Sequence, residues 1–319
     1  MTQTRGNRAA LVSIVLILVG IPTSILGYQY WLRPALAEHR VIDIATRVPE
    51  NGGFSPDLVR AEVGETITLR FAVDDVAHGI AIGPGLDIDL GQIDPGHVGE
   101  ITLTLDTPGI YTYYCNTWCS PSHWRMRGIL EVVDPNASGS ADAPSDPIIE
   151  ALIAASVDID AEPQLSEGIL PDRSHGEQSF ETVEVPPNLL DPTWRLSHTP
   201  AEGLVALRAK NPGSGDDVLT DVTAYLWSEP TPTIEIKELF AKNCAACHGE
   251  RGAGDGPAAT STIETPVAFA DVAWFRRGDI WYAKIRRGGM GTDMPNFGTL
   301  FTVEEARLLV DYLWYLSFK

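Results

Sequence analysis

Positive charge is scarce in this chain of 319 residues: 23 Lys and Arg stand against 43 Asp and Glu, a formal net charge of −20. That balance excludes nucleic acid, which is held through basic patches, as a partner. An acidic surface suits the steering of a basic redox protein instead. Cysteine is scarce as well. All four fall in two short motifs, Cys115/Cys119 and Cys244/Cys247, so none is left for a structural disulfide elsewhere. Tight pairs of this kind point to metal or cofactor chemistry. Histidine numbers only seven, too few for an oxygen-reducing centre of the chain's own. Residues 1–32 hold no Asp or Glu, so no proton-carrying carboxylate is expected there.

What is present begins with an apolar run. From Ala9 to Leu32 no residue is charged, and Tyr28, Tyr30 and Trp31 close the segment. A run of this length spans a hydrocarbon core of about 30 Å at about 1.5 Å per residue. It exceeds the ~7–15 apolar residues of a cleaved signal peptide. The expectation is a transmembrane helix over residues 9–32, preceded by a tail at 1–8.

Residues 33–135 read as strands. Ile67, Leu69, Phe71 and Val73 alternate with Thr66, Thr68, Arg70 and Ala72, and Ile101, Leu103 and Leu105 repeat the pattern. Period-2 alternation marks half-buried strands. Turn signals at Val63-Gly64, Asp94-Pro95-Gly96 and Thr107-Pro108-Gly109 separate the runs. Residues 136–147 have the small, polar composition of a linker. From 233 onward the pattern is helical, with Leu308, Leu309, Tyr312, Leu313 and Leu316 at helical spacing.

The strongest chemical signal is Cys115-x3-Cys119-x3-His123-x2-Met126, preceded by His78. Thiolate, thioether and imidazole ligands together select copper. Two thiolates bridge two copper ions, with His78 and His123 taking one copper each. Met126 is then a weak ligand on one ion and a loop carbonyl on the other. A single-copper blue site needs only one Cys. The loop, with its upstream His, resembles the dinuclear CuA site of cytochrome c oxidase subunit II. The stretch from Asp75-Val-Ala-His78-Gly to Gly128-Ile-Leu-Glu-Val-Val133 is most similar to the B-type haem–copper oxidases. The resemblance implies a cupredoxin sandwich, a ligand set of His78, Cys115, Cys119, His123 and Met126, and the backbone carbonyl of Thr117 as the sixth ligand. A plain Cys115–Cys119 disulfide would leave both histidines and the methionine unexplained.

Cys244-Ala-Ala-Cys247-His248 is the attachment motif for a covalent haem c, its His placed as an axial iron ligand. His/Met ligation suits an electron donor. Met294, in Asp-Met-Pro-Asn-Phe, matches the Met-Pro motif of class I cytochromes c, with Met290 as the alternative. Gly254-Asp-Gly-Pro257 resembles the segment whose Pro carbonyl accepts the axial His N–H. Arg286 and Arg287 are candidate propionate partners. Ile236 stands where a Gly often lets the terminal helices of that family cross closely. Between the two cofactor regions, Ser174-His175-Gly176 echoes Cys247-His248-Gly249, and Ala224-Tyr225-Leu226-Trp227 echoes Asp311-Tyr312-Leu313-Trp314. Residues 136–232 are therefore expected to hold a linker and a second, haemless cytochrome c-like unit.

The expected fold class is a membrane-anchored multidomain chain: one transmembrane helix, an all-β cupredoxin sandwich over 33–135 and an all-α cytochrome c domain over 233–319. The resemblance implies a non-catalytic electron-entry subunit of cytochrome c oxidase. Electrons would pass from an external donor (a cytochrome, a cupredoxin or a quinol-oxidising complex) through haem c to CuA, then to a polytopic haem–copper catalytic subunit. A CuA-containing nitric oxide reductase and a free-standing tethered shuttle share this plan. Nitrous oxide reductase, with its large propeller and His-rich cluster, does not fit the length or histidine count. Because haem c is attached outside the bacterial cytoplasm, the expected topology places the amino terminus inside the cell membrane and residues after 32 on the extracytoplasmic side.

Overall fold

The computed structural model describes residues 14, 16–28, 32, 39–86, 88–136, 146–166, 168–290 and 292–319. The expected membrane helix is not what its described residues form. They make a π-helical stretch, Leu16–Gly20, and a helix α1, Ile21–Gly27. The described run from Leu16 to Gly27 rises about 18 Å, against an apolar core of ~30 Å. Gly20, Pro22 and Gly27 are the poorest helix formers in the segment. Among the described residues no helix is long and apolar enough to cross a membrane, which overturns the transmembrane assignment. The tail 1–8, Tyr30 and Trp31 lie outside the described residues.

Nine strands follow: β1 (Arg40–Thr46), β2 (Phe54–Ser55), β3 (Leu58–Glu62), β4 (Thr66–Val73), β5 (His78–Gly83), β6 (Ile88–Ile93), β7 (Val98–Thr104), β8 (Gly109–Cys115) and β9 (Arg127–Val133). One sheet runs β2-β1-β4-β7 and the other β3-β9-β8-β5-β6. β1 pairs parallel to β4 with Ile42 opposite Leu69 and Ile44 opposite Phe71. This register turns one apolar row of each strand inward. Ile67, Leu69, Phe71 and Val73 are buried against Ile80, Ile82, Tyr113, Leu130 and Val132 from the other sheet. Phe54, Phe71 and Tyr113 meet at the centre with ring centroids 5.2–6.0 Å apart. The expected all-β sandwich is present.

The rest of the chain is helical. Its elements are α2 (Pro147–Ala154), α3 (Arg173–Ser179), α4 (Pro192–Ser197), α5 (Pro200–Lys210), α6 (Asp216–Trp227), α7 (Ile234–Asn243), α8 (Ala245–His248), α9 (Phe269–Val272), α10 (Gly278–Arg287) and α11 (Val303–Ser317). Capping boxes start α5 at Thr199/Glu202 and α11 at Thr302/Glu305, each satisfying two orphan N–H groups.

The same contact occurs twice. Phe180 meets Tyr225 edge-on at 5.4 Å, joining the end of α3 to α6, and Phe240 meets Tyr312 edge-on at 5.2 Å, joining α7 to α11. The crossings differ in closeness. A Cβ at Gly176 would lie 2.0 Å from the Asp221 carbonyl oxygen, so α3 touches the backbone of α6. Four residues before Phe240 stands the buried Ile236, so these contacts match Gly176 to Ile236 and not to Gly249 as the sequence echo does. His175 is not at an iron-ligand position; its Nδ1 pairs with Asp221 Oδ2 at 2.6 Å.

The sandwich and the helices share a seam. Ala81 of β5 and Tyr114 of β8 belong to the helical core. Lys242 Nζ reaches Asp89 Oδ2 at 2.7 Å. The Arg127 guanidinium donates to the Asn296 carbonyl and lies 4.7 Å from the Phe297 ring centre.

Candidate functional site

Strand pairing assembles the sulfur cluster. In the β5–β8 ladder Ile80 faces Cys115, which sets His78, at the start of β5, beside the last residue of β8. The chain then loops through Cys119 and a 3-10 turn, His123–Arg125, and returns at Met126 into β9. Gly79 makes the loop possible. A Cβ there would lie 2.1 Å from Asn116 Oδ1 and 2.4 Å from Thr117 Oγ1.

The resulting chain of donors is continuous. His78 Nδ1 lies 3.7 Å from Cys115 Sγ, Cys115 Sγ 3.8 Å from Cys119 Sγ, and Cys119 Sγ 3.7 Å from His123 Nδ1. Met126 Sδ is 3.8 Å from Cys119 Sγ, and the Thr117 carbonyl is 3.0 Å from Cys115 Sγ. The structure thus brings together all six positions singled out in the sequence. A disulfide needs sulfurs about 2.05 Å apart, and both cysteines are free. Ligand atoms of His78, Cys115 and Cys119 fall within 4.8 Å of one another, a grouping that could hold a metal ion.

A hydrogen bond from Cys119, then His123 and His78, lowers the Cys115 thiol against its burial, while Cys115 and burial raise Cys119. Asp75 supports the cluster from outside. Its Oδ1 accepts from His78 Nε2 at 2.9 Å, and its Oδ2 accepts from the Val48 N–H at 2.8 Å. Burial raises the Asp75 carboxyl, but the hydrogen bonds from His78, Val48 and Val76 outweigh it and hold it well below the carboxylate range. A carboxylate on the far nitrogen fixes the imidazole tautomer so that Nδ1 faces the sulfurs. Sequence reading missed Asp75; the spacing Asp75-x2-His78 was the available signal.

The second site is a cavity of about 710 Å³, within the size range of cofactor pockets. Cys244, Cys247, His248, Phe269, Trp281 and Met294 line it. Burial pushes the Cys244 thiol up to about 12 and raises Cys247, so both carry protons, as thiols awaiting thioether formation would. His248 is brought down to about 4 by burial, which keeps the imidazole neutral and able to ligate. Its ring stacks on Phe269 at 4.9 Å, and its buried Nδ1 has no hydrogen-bond partner. The expected Pro257 carbonyl contact is therefore not made. Pro257 is exposed, and the stacked Phe269 sets the ring plane instead. Gly256 holds the following loop tight, since a Cβ there would lie 2.4 Å from the Ala246 carbonyl oxygen. Both methionines line the cavity. Met290 is 75% exposed, whereas Met294 packs against the core.

Arg286 and Arg287 do not face the cavity as free cations. Arg286 binds Asp146 and the carbonyls of Gly298 and Phe301, and Arg287 binds Asp160. The chemistry of both donor sets fits the groups expected from the sequence: soft sulfur and imidazole for copper, paired thiols with an adjacent imidazole for haem c.

Comparison with known proteins agrees on the helical unit. Residues 232–313 match the family described as cytochrome C oxidase, cbb3-type, subunit III. The C-terminal unit is a cytochrome c domain. The β unit is a two-sheet sandwich whose sulfur and imidazole cluster could hold a metal ion. Over 72 residues the chain is 35% identical to the nitrous-oxide reductase of Stutzerimonas stutzeri, a match covering 22% of this chain and 11% of that protein. The chain thus spans about a tenth of that relative's length. Among solved structures, a chain of a heme-copper terminal oxidase dimer is 18% identical, covering 40% of this chain and 99% of its own, at a TM-score of 0.25. Auracyanin from Roseiflexus castenholzii is 23% identical, covering 30% and 99%, also at 0.25. Likeness at that level carries no functional argument.

Proposed function

We propose that this chain is the electron-entry subunit of a terminal haem–copper oxidase. Haem c would be bound through Cys244 and Cys247 with His248 and Met294 as axial ligands. A dinuclear copper centre would be bound by His78, Cys115, Cys119, His123, Met126 and the Thr117 carbonyl. One observation carries the reading: the haem cavity's wall includes His123, Trp118 and Trp124 of the sulfur loop. A ligand of one centre therefore forms part of the other's enclosure. A smaller pocket of about 20 Å³ lies on the same seam, between Cys115, His123, Asn243 and Phe297, with room for about one water.

Two bridged copper ions and a buried haem supply one-electron transfer with little rearrangement. The chain's own residues hold the two groups on either side of a shared wall and exclude bulk water from it. Electrons would enter from a basic donor attracted by the acidic surface, pass from haem to copper, and leave to a separate catalytic subunit that reduces oxygen. Haem c attachment places this work on the extracytoplasmic side. The unit over 148–230, with its matching Phe180–Tyr225 contact, is proposed as a haemless relative of the cytochrome domain.

The test is purification of the chain from a cytochrome c-competent host, with metal analysis, haem analysis and electron paramagnetic resonance. Two coppers and one haem per chain, with hyperfine coupling to two equivalent copper nuclei, are expected. Coupling to one nucleus would remove the dinuclear assignment. Co-purification of a large polytopic haem protein from the native membrane tests the oxidase assignment.

A further inference from the structure

Arg276 is 8% exposed and lines the 710 Å³ cavity. Among the described residues no hydrogen bond or ion pair engages its guanidinium. Its neighbour Arg277, by contrast, pairs with Asp279, and Arg286 and Arg287 are both held by carboxylates. A buried cation with no partner is costly, and such groups are ordinarily paired. Burial lowers Arg276 with no opposing carboxylate.

A second cation stands on the same wall. Lys284 lines the cavity, and its amine is pushed down first by burial and then by the charge of Arg276. Its closest carboxylate, Asp160, lies 3.9 Å away and is already bound by Arg287. Of the other acids of the lining, Glu264 adds a weaker attraction to Lys284 and none is paired with Arg276. Asp293 accepts the Ile263 N–H, while Glu162 and Glu264 are exposed at the rim. Arg276 thus stands on the cavity wall without a carboxylate partner among the described residues, with a second cation, Lys284, on the same wall.

We infer that Arg276, assisted by Lys284, is the anchor for the haem's propionate carboxylates. A guanidinium presents a planar fork matched to carboxylate geometry, and an anion delivered with the cofactor would supply the missing partner. Arg276 then acts as a positioning residue. It sets the plane of the group and offsets negative charge that would otherwise stabilise the oxidised iron. The inference rests on the haem reading above.

Arg276→Gln should keep covalent haem, because the thioethers are untouched, yet lower the midpoint potential. The expected change is about tenfold in the reduction equilibrium, ~59 mV for one electron. Arg276→Lys, which keeps the charge, should recover most of the shift. Lys284→Gln, at a half-buried position, should move the potential the same way by less, and serves if Arg276→Gln does not accumulate. Haem-replete Arg276→Gln and Lys284→Gln proteins with unmoved potentials would overturn this assignment alone. Absence of haem from the unmodified chain would overturn the haem reading with it.

Discussion

At the scale of single residues, the copper-type cluster depends on groups that do not themselves belong to it. Asp75→Asn keeps a hydrogen-bonding side chain but removes the charge that orients His78. Copper affinity should fall about 10–100-fold, as measured by competition with a chelator. In the dinuclear reading proposed above, Cys119→Ser would remove one of two thiolates, so copper should drop from two ions to one, with coupling to a single nucleus. The Cys loop was legible in the sequence because four ligands lie within twelve residues. His78 was legible as a donor of the right chemistry upstream of the loop, but its meeting with Cys115 depends on strand pairing and not on chain proximity. Arg276 was not legible at all. A run of charged residues reads as solvated, and only the tertiary fold shows which of Arg276 and Arg277 is buried without a carboxylate.

At the scale of elements, two helices report on how the middle unit is held. Asp146 caps α2, its Oδ1 accepting from the N–H groups of Ile148 and Ile149. Its Oδ2 accepts from the Tyr282 hydroxyl and Arg286 Nε. Asp146→Ala loses the cap and strands a buried guanidinium, so stability should fall by about 3 kcal/mol in chemical unfolding. Asp311 of α11 works in the opposite sense. Burial pushes its carboxyl up to about 6, against the pull of Arg195. Between its unfolded value near 4 and about 6, the unfolded chain has released the proton and the folded one has not. Stability therefore falls as pH rises through that window. Asp311→Asn should gain up to about 3 kcal/mol at pH 7, the gain vanishing below about pH 4 in thermal melts across pH. The alternating strands of the sandwich were plain in the sequence because each buries one face. The helices from α3 to α5 were obscure because side-chain caps at Asp172, Asp191 and Thr199 define them more than any apolar period.

At the scale of the whole molecule, the seam between sandwich and helices decides how the two centres communicate. Electron exchange between haem and copper should be unimolecular, its rate unchanged on dilution in flash-photolysis measurements. Arg127→Ala removes the bond to the Asn296 carbonyl and the contact with Phe297, and should slow that exchange while leaving both cofactors bound. One haem per chain is expected; two would dismiss the haemless relationship proposed for 148–230. The seam is also tight. A Cβ at Gly83 would stand 2.6 Å from the carbonyl oxygen of Leu300, so β5 and the loop before α11 touch backbone to backbone. Such a fit makes the two cofactor domains poor candidates for exchange. A different cytochrome grafted after the sandwich would meet Tyr114, Trp118 and Trp124 with an unmatched face. Recombination in this chain can succeed only when both sides of the seam travel together.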